Sequence, residues 1–304
     1  MTQEERIRHR VLRAITLNRT PGYHFAGNFV DLSFDRVESA GARLSYENDT
    51  QGDVGSLAVL ADFALGTSIR ADLDPATRLA TVSMTLELAA EPRAGIVAAT
   101  SRCHGFIGDG DGRIGRGRVV LEDAGGEFGY GSGAFMVVKP PPGVALHPVP
   151  MRKRGDAEPP LLAERDLAAH ELRILRHADE ALERSARSGQ PFMRHFWGLL
   201  PQAAPGGASC VMPNGPHVGN RVGYVQGGIL FALGAATAVA ALPEGWTLAS
   251  MAAAFVSPGQ GPALKAHASV VHQGQRVSVI RTDVTRGDGR RVLEVMSTHI
   301  ARND

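Results

Sequence analysis

Two segments of the chain are apolar over several consecutive helical turns and not merely along one stripe. One is Gly55-Ser56-Leu57-Ala58-Val59-Leu60-Ala61-Asp62-Phe63-Ala64, and the other is Gly228-Ile229-Leu230-Phe231-Ala232-Leu233-Gly234-Ala235-Ala236-Thr237. A segment apolar on all sides predicts a helix surrounded by protein, and central helices are expected over about 54–70 and 226–242. The longest apolar run, 227–242, is shorter than the roughly 20 residues that span a bilayer. Elsewhere the period changes. Residues 116–122, 135–138, 266–272, 277–284 and 292–299 alternate or are rich in β-branched residues, with Gly-Asp turns among them, which predicts antiparallel strands.

These elements recur in one order. His24-Phe25-Ala26-Gly27 is echoed by His195-Phe196-Trp197-Gly198, and the apolar segments follow, opened by Gly55 and Gly228. A Ser-Met pair comes next in each half, Ser83-Met84 and Ser250-Met251, before the β-rich stretches. Equivalent features keep a nearly constant separation of about 170 residues, so the chain reads as a duplication. Each copy is a lead strand, one apolar helix and several antiparallel strands. Between the copies, residues 139–150 hold five prolines and no periodicity, an extended connector. Residues 161–187 carry Leu161, Leu172, Leu175 and Leu182 at helical spacing, a linking helix on the outside of the pair. The expected boundaries are 1–145 for the N-terminal domain, 146–190 for connector and helix, and 191–304 for the C-terminal domain.

Composition narrows the function classes. The chain has 304 residues, 43% hydrophobic and 21% charged, with a formal charge of +1. That balance gives no argument for nucleic acid or an anionic membrane as partner. Cys103 and Cys210 stand far apart without metal-ligand spacing, which fits a reducing compartment. The first residues mix charged and apolar side chains without a continuous apolar core, unlike a signal peptide. The expectation is a soluble, cytoplasmic protein without a membrane span.

Asp62 is the residue whose chemistry is out of place. A carboxylate within an apolar run is desolvated unless hydrogen-bonded or open to a cavity, and desolvation raises its pKa. It reads as a catalytic group; the competing reading puts it on a solvent edge or capping a backbone amide. Gly227 and Gly228 open the second helix, where unpaired amides and a partial positive charge suit an oxyanion and the missing side chains allow close approach. Tight helix–sheet packing is the alternative use of the pair.

The lead-in Asn220-Arg221-Val222-Gly223-Tyr224-Val225-Gln226-Gly227-Gly228 resembles the Asn-x-x-Gly-x-x-His-Gly-Gly segment of phenylacetyl-CoA-type thioesterases of the hot-dog superfamily, with Gln226 in the usual place of His. The resemblance implies an α+β tandem (double) hot-dog, each copy a curled antiparallel sheet wrapped around one apolar helix. That family places an acid seven residues after the second glycine. The second copy has Ala235 there, whereas the first, with a degraded Asp53-Val54-Gly55 lead-in, has Asp62 seven residues after Gly55. Seven helical residues advance about 10 Å, so Asp62 cannot serve the start of its own helix. Two such helices packed oppositely about a two-fold bring the acid of one copy to the glycines of the other.

The expected activity is therefore hydrolysis of acyl-CoA (or acyl-carrier-protein) thioesters at one composite site. Asp62, Gly227 and Gly228 are the catalytic candidates, Asp62 as base toward water or as nucleophile. Asn220, Gln226 and Thr67 are candidates for holding substrate or loop. The opposite combination of Ala235, Asp53 and Val54 should be inactive. Neither metal nor other cofactor is expected. One chain already supplies the functional pair, with homo-oligomers of double hot-dogs possible. Asp109-Gly110-Asp111-Gly112 lacks the rest of a calcium loop and reads as a β-turn. The glycines at 105–117 lack a phosphate-loop ending. His104, His267, His272 and His299 lie in strand sequence without ligand spacing, and no Gly-x-Ser-x-Gly elbow occurs. A non-catalytic acyl-binding or assembly protein, or a hot-dog dehydratase, are the alternatives.

Overall fold

The computed structural model describes residues 2–23, 25–49 and 53–302. In chain order it comprises α1 (Gln3–Asn18), α2 (Phe25–Phe29), β1 (Ser33–Glu38), β2 (Gly41–Asn48), α3 (Val54–Arg70), β3 (Arg78–Leu88), β4 (Gly95–Ile107), β5 (Ile114–Asp123) and β6 (Gly126–Val138). After the connector come α4 (Ala169–Ser188), α5 (Phe192–Phe196), β7 (Gln202–Ala204), β8 (Gly207–Pro213), α6 (Gly227–Ala240), β9 (Trp246–Phe255), β10 (Ala263–Gln273), β11 (Val277–Arg286) and β12 (Arg291–Ala301). The architecture is α+β, a double hot-dog.

All twelve strands join one sheet in the order β1-β2-β4-β5-β6-β3-β9-β12-β11-β10-β8-β7. The second six strands are the first six read in mirror order, as a two-fold between β3 and β9 requires. Irregularities repeat as well as strands. The β3–β6 register skips Val82, and the β9–β12 register skips Ala249 at the equivalent place. In the same way β4 skips His104 and β10 skips Val271, at the same offset along the chain. A bulge inserts one unpaired residue and re-aims its neighbours, so shared bulges mark the two halves as copies in backbone detail.

The central helices are buried as their patterns demand. In α3 the side chains of Leu57, Leu60, Leu65 and Ile69 are fully inaccessible, and in α6 those of Ile229, Phe231 and Leu233. Each such burial contributes roughly 1.5–3 kcal/mol relative to exposure. Both helices start at the equivalent residue by the same device. The Asp53 side chain accepts from the Ser56 amide and the Gln226 side chain from the Ile229 amide, each capping the third helical residue.

The short helices correct one correspondence read from the sequence. The His-Phe-x-Gly echo would set Phe196 against the start of α2, but α2 ends at Phe29 just as α5 ends at Phe196. The true counterparts are Phe29 and Phe196, whose rings meet edge to face at 4.9 Å. The echo is out of register by about one helical turn. His24 lies outside the described residues. The linking helix starts later than its leucines suggest, at Ala169, because the Glu171 carboxylate accepts from the Ala168 amide and also receives Arg19 of α1. Residues 139–163 form no helix or strand. No helix of the described residues is long and apolar enough to cross a membrane.

Candidate active site

Where α3 crosses α6 the two backbones nearly touch. A Cβ on Gly228 would lie 2.6 Å from Val59 Cα and 2.7 Å from the Ala58 carbonyl oxygen, so only glycine fits. This approach places mid-α3 against the start of α6, and Asp62 meets the first turn of the opposite copy's helix. Gln226 Nε2 donates a short hydrogen bond to Asp62 Oδ2, and Thr81 Oγ1 donates to Asp62 Oδ1 at 2.9 Å. Because Gln226 Oε1 accepts from the Ile229 amide at 3.0 Å, the side-chain amide can only turn its NH2 toward the carboxylate. The helix cap thus orients the donor.

Asp62 is buried, and burial pushes its carboxyl up from 3.8 to about 6; the Thr81 and Gln226 hydrogen bonds and the Gly228 amide pull in the opposite direction. The group is therefore ionised at neutral pH and takes a proton readily just below it, the poise a general base needs. Of the first amides of α6, that of Ile229 is used by the cap and that of Gly228 faces Asp62. The Gly227 amide has no acceptor among the described residues, and Gly227 lines the adjoining cavity.

That cavity, about 310 Å³, runs between α3, β3 and the lead-in of α6. Phe34, Phe63, Leu79, Phe135, Leu230 and Phe255 supply apolar wall, with Arg70, Arg78 and Tyr224 at another part of the lining. Asn220 and Thr67 also line it. Asn220 holds the loop: its Oδ1 accepts from the Val222 and Tyr224 amides at 3.0 and 3.2 Å. Thr67 is not among the partners of Asp62. The structure thus gathers Asp62, Gln226, Gly227 and Gly228 at one point, with Asn220 and Thr67 farther along the same cavity.

Thr81 was missed by sequence reasoning. The bulge at Val82 breaks the alternation of β3, so Thr81 joins the inner face of Met84 and Leu86 and reaches Asp62. Leu248 stands at the equivalent bulge of β9 in the second copy. Leu248, Ala235, Asp53, Val54 and Gly55 line a second cavity of about 420 Å³ at the pseudo-symmetric position. There the acid is Ala235, the threonine is Leu248, and the first glycine is Val54. Asp53 is committed to capping α3, with its carboxylate taken by the Ser56 amide and hydroxyl. Asp109 to Gly112 form part of the turn between β4 and β5.

Residues 217–300, from the lead-in of α6 into β12, match the family model of the acyl-CoA thioesterase N-terminal domain. The match takes in the central helix and most of the sheet of the second copy, little more than a quarter of the chain. Comparison with curated protein sequences found no significant match. Solved structures share the fold over most of the chain. An oleoyl thioesterase (putative) from Lactobacillus plantarum is similar at 10% identity and a TM-score of 0.54, covering 88% of this chain and 97% of its own. The tesB protein of Mycobacterium avium subs paratuberculosis has 14% identity and a TM-score of 0.51, covering 90% and 96%. The 12:0-ACP thioesterase of Umbellularia californica has 9% identity and a TM-score of 0.50, covering 86% and 95%. At such identities the likeness concerns the fold; the chemistry must be argued from the site.

Proposed function

We propose that the chain hydrolyses acyl-CoA (or acyl-carrier-protein) thioesters at a single composite site made by Asp62 and Thr81 of the first copy and Gln226 and Gly227 of the second. The observation that carries this is the Asp62–Gln226 contact across the helix crossing, beside a Gly227 amide that no described residue uses. In the second cavity Ala235 and Leu248 stand in place of Asp62 and Thr81, and the Asp53 carboxylate is taken by the Ser56 amide and hydroxyl.

The thioester carbonyl oxygen is directed at the Gly227 amide, at the positive end of α6. The Asp62 carboxylate, held in place by Thr81 and Gln226, takes a proton from a water as that water attacks the carbonyl carbon. The tetrahedral oxyanion is stabilised by the Gly227 amide. Its collapse breaks the C–S bond, and the departing thiolate receives the proton from Asp62, leaving a carboxylic acid and a free thiol. Water activation is favoured over direct attack by Asp62 because both carboxylate oxygens already accept hydrogen bonds, which lowers their nucleophilicity while leaving room to accept a proton.

The test is thiol release by purified protein from acyl-CoA substrates of graded chain length and aromatic character, with acyl-carrier-protein thioesters in parallel. At least one series should be turned over catalytically. Tight binding without thiol release across the panel would replace this reading with a non-catalytic acyl-binding role.

A further inference from the structure

The proposed reaction leaves unexplained two arginines that line the same cavity, Arg70 and Arg78, and a third, Arg221, that meets Arg70 beside it. Arg70 Nη1 and Arg221 Nη2 both donate to the Thr77 carbonyl oxygen, Arg221 at 3.0 Å, and Arg221 Nη1 donates to the His147 carbonyl at 2.8 Å. Two guanidinium groups therefore converge on one neutral acceptor, and among the described residues neither has a carboxylate partner. Burial, with the neighbouring Arg221 charge, pushes the Arg70 guanidinium down to about 9, and burial also pushes Arg221 down. Arg78 lies with its guanidinium carbon 5.5 Å from the Tyr224 ring centroid and donates to the Lys139 carbonyl, again without an ion pair among the described residues.

Desolvated like charges beside each other destabilise a fold unless an anion joins them. Their position identifies what that anion belongs to. Arg70 follows Asp62 by eight residues on α3, about 12 Å along the axis. Gly66 and Thr67 line the cavity between them. A substrate whose carbonyl sits at Asp62 therefore extends past a smooth, side-chain-poor stretch of helix toward the arginines.

Resting on the thioesterase reading, we propose that Arg70, Arg78 and Arg221 form an anion subsite that holds a phosphate or carboxylate of the substrate roughly 12 Å from the reacting carbonyl. Two parts of a thioester substrate carry such a group: the phosphate of the phosphopantetheine arm, and a carboxylate at the far end of the acyl chain.

The experiment compares Arg70→Met, Arg221→Met and Arg78→Met with wild type on three thioesters: an acyl-CoA, the same acyl group on N-acetylcysteamine, and an ω-carboxyacyl N-acetylcysteamine. The expected result is that KM for an anionic substrate, relative to the neutral N-acetylcysteamine ester, rises at least about 10-fold, with kcat changed far less, since a charge-assisted contact is worth about 1.5–3 kcal/mol. A selective rise with acyl-CoA assigns the phosphate; a selective rise with the ω-carboxyacyl ester assigns the acyl end. Unchanged ratios for both overturn the subsite. A readout independent of turnover is protection by inorganic pyrophosphate: it should raise the melting temperature of wild type more than that of Arg78→Met, the half-buried position least exposed to folding defects. Equal protection in both also overturns the proposal. If wild type hydrolyses no thioester yet pyrophosphate protection depends on Arg78, the functional reading fails and the anion site stands.

Discussion

Replacing Asp62 by Asn separates activity from stability, and the structure sets the size of both effects. The carboxyl has a pKa of about 6 in the fold against an ordinary 3.8. At about 1.36 kcal/mol per tenfold change, that difference amounts to about 3 kcal/mol. The folded pKa is the higher one, so the folded state binds more protons between pH 3.8 and about 6. The stabilisation is full below the lower value and is lost as pH rises to the upper one. At pH 7 the ionised Asp62 therefore destabilises the fold by about 3 kcal/mol relative to a neutral group. Asn keeps the shape. Its oxygen can accept from Gln226, and its NH2 can donate to Thr81 Oγ1, which is able to accept. Asp62→Asn should thus melt higher at pH 7, by on the order of 5 °C for a chain of this length, and by much less at pH 4. Turnover should fall at least about 100-fold, the usual scale for losing a general base. Thermal melts at the two pH values and steady-state thiol release on any good substrate test both halves. Folded Asp62→Asn with near-wild-type turnover would refute the catalytic assignment. A variant equally less stable at both pH values would refute the desolvation argument.

Thr81→Val removes a donor that stabilises the ionised carboxylate, so the acidic limb of the kcat/KM–pH profile should move above about 6 and turnover at pH 7 should drop; an unmoved limb would exclude Thr81 from the site. In Gly227→Ala the new Cβ would lie 2.6 Å from Thr81 Oγ1 and 2.9 Å from Asp62 Oδ1. Displacing both by a few tenths of an ångström should lower kcat by up to about 100-fold, with folding checked by circular dichroism. In the second cavity, Val54→Gly and Asp53→Asn should leave turnover nearly intact, because Ala235 and Leu248 offer no chemistry and Asn still caps a helix. A loss there matching that of Asp62→Asn would refute the one-site reading.

The sequence by itself determined the duplication, the two buried helices and the unequal inheritance of reactive groups. Those features are local. An all-round apolar run names a buried helix, a Pro-rich stretch names a break, and a lone acid among leucines is conspicuous wherever the run is placed. The proposed division of one site between two copies could be read from the chain too, because the slow rise of a helix along its axis leaves Asp62 too far from its own N-terminus. The register of the short helices was not legible: a four-residue echo carries too little information to fix alignment, and the contact of Phe29 with Phe196 decides it. Thr81 was invisible for a different reason. Its direction depends on a bulge created by pairing with β6, a strand distant along the chain, and period-two reasoning along β3 sends its side chain to the wrong face. The arginines follow the same rule. Arg70, Arg78 and Arg221 look like ordinary surface charges in the chain, and only the packing of the α6 lead-in against the end of α3 removes water from Arg70 and Arg221 without providing a carboxylate. Burial, facing direction and charge compensation are properties of neighbours distant in sequence, and for these residues the tertiary structure alone supplies the neighbours.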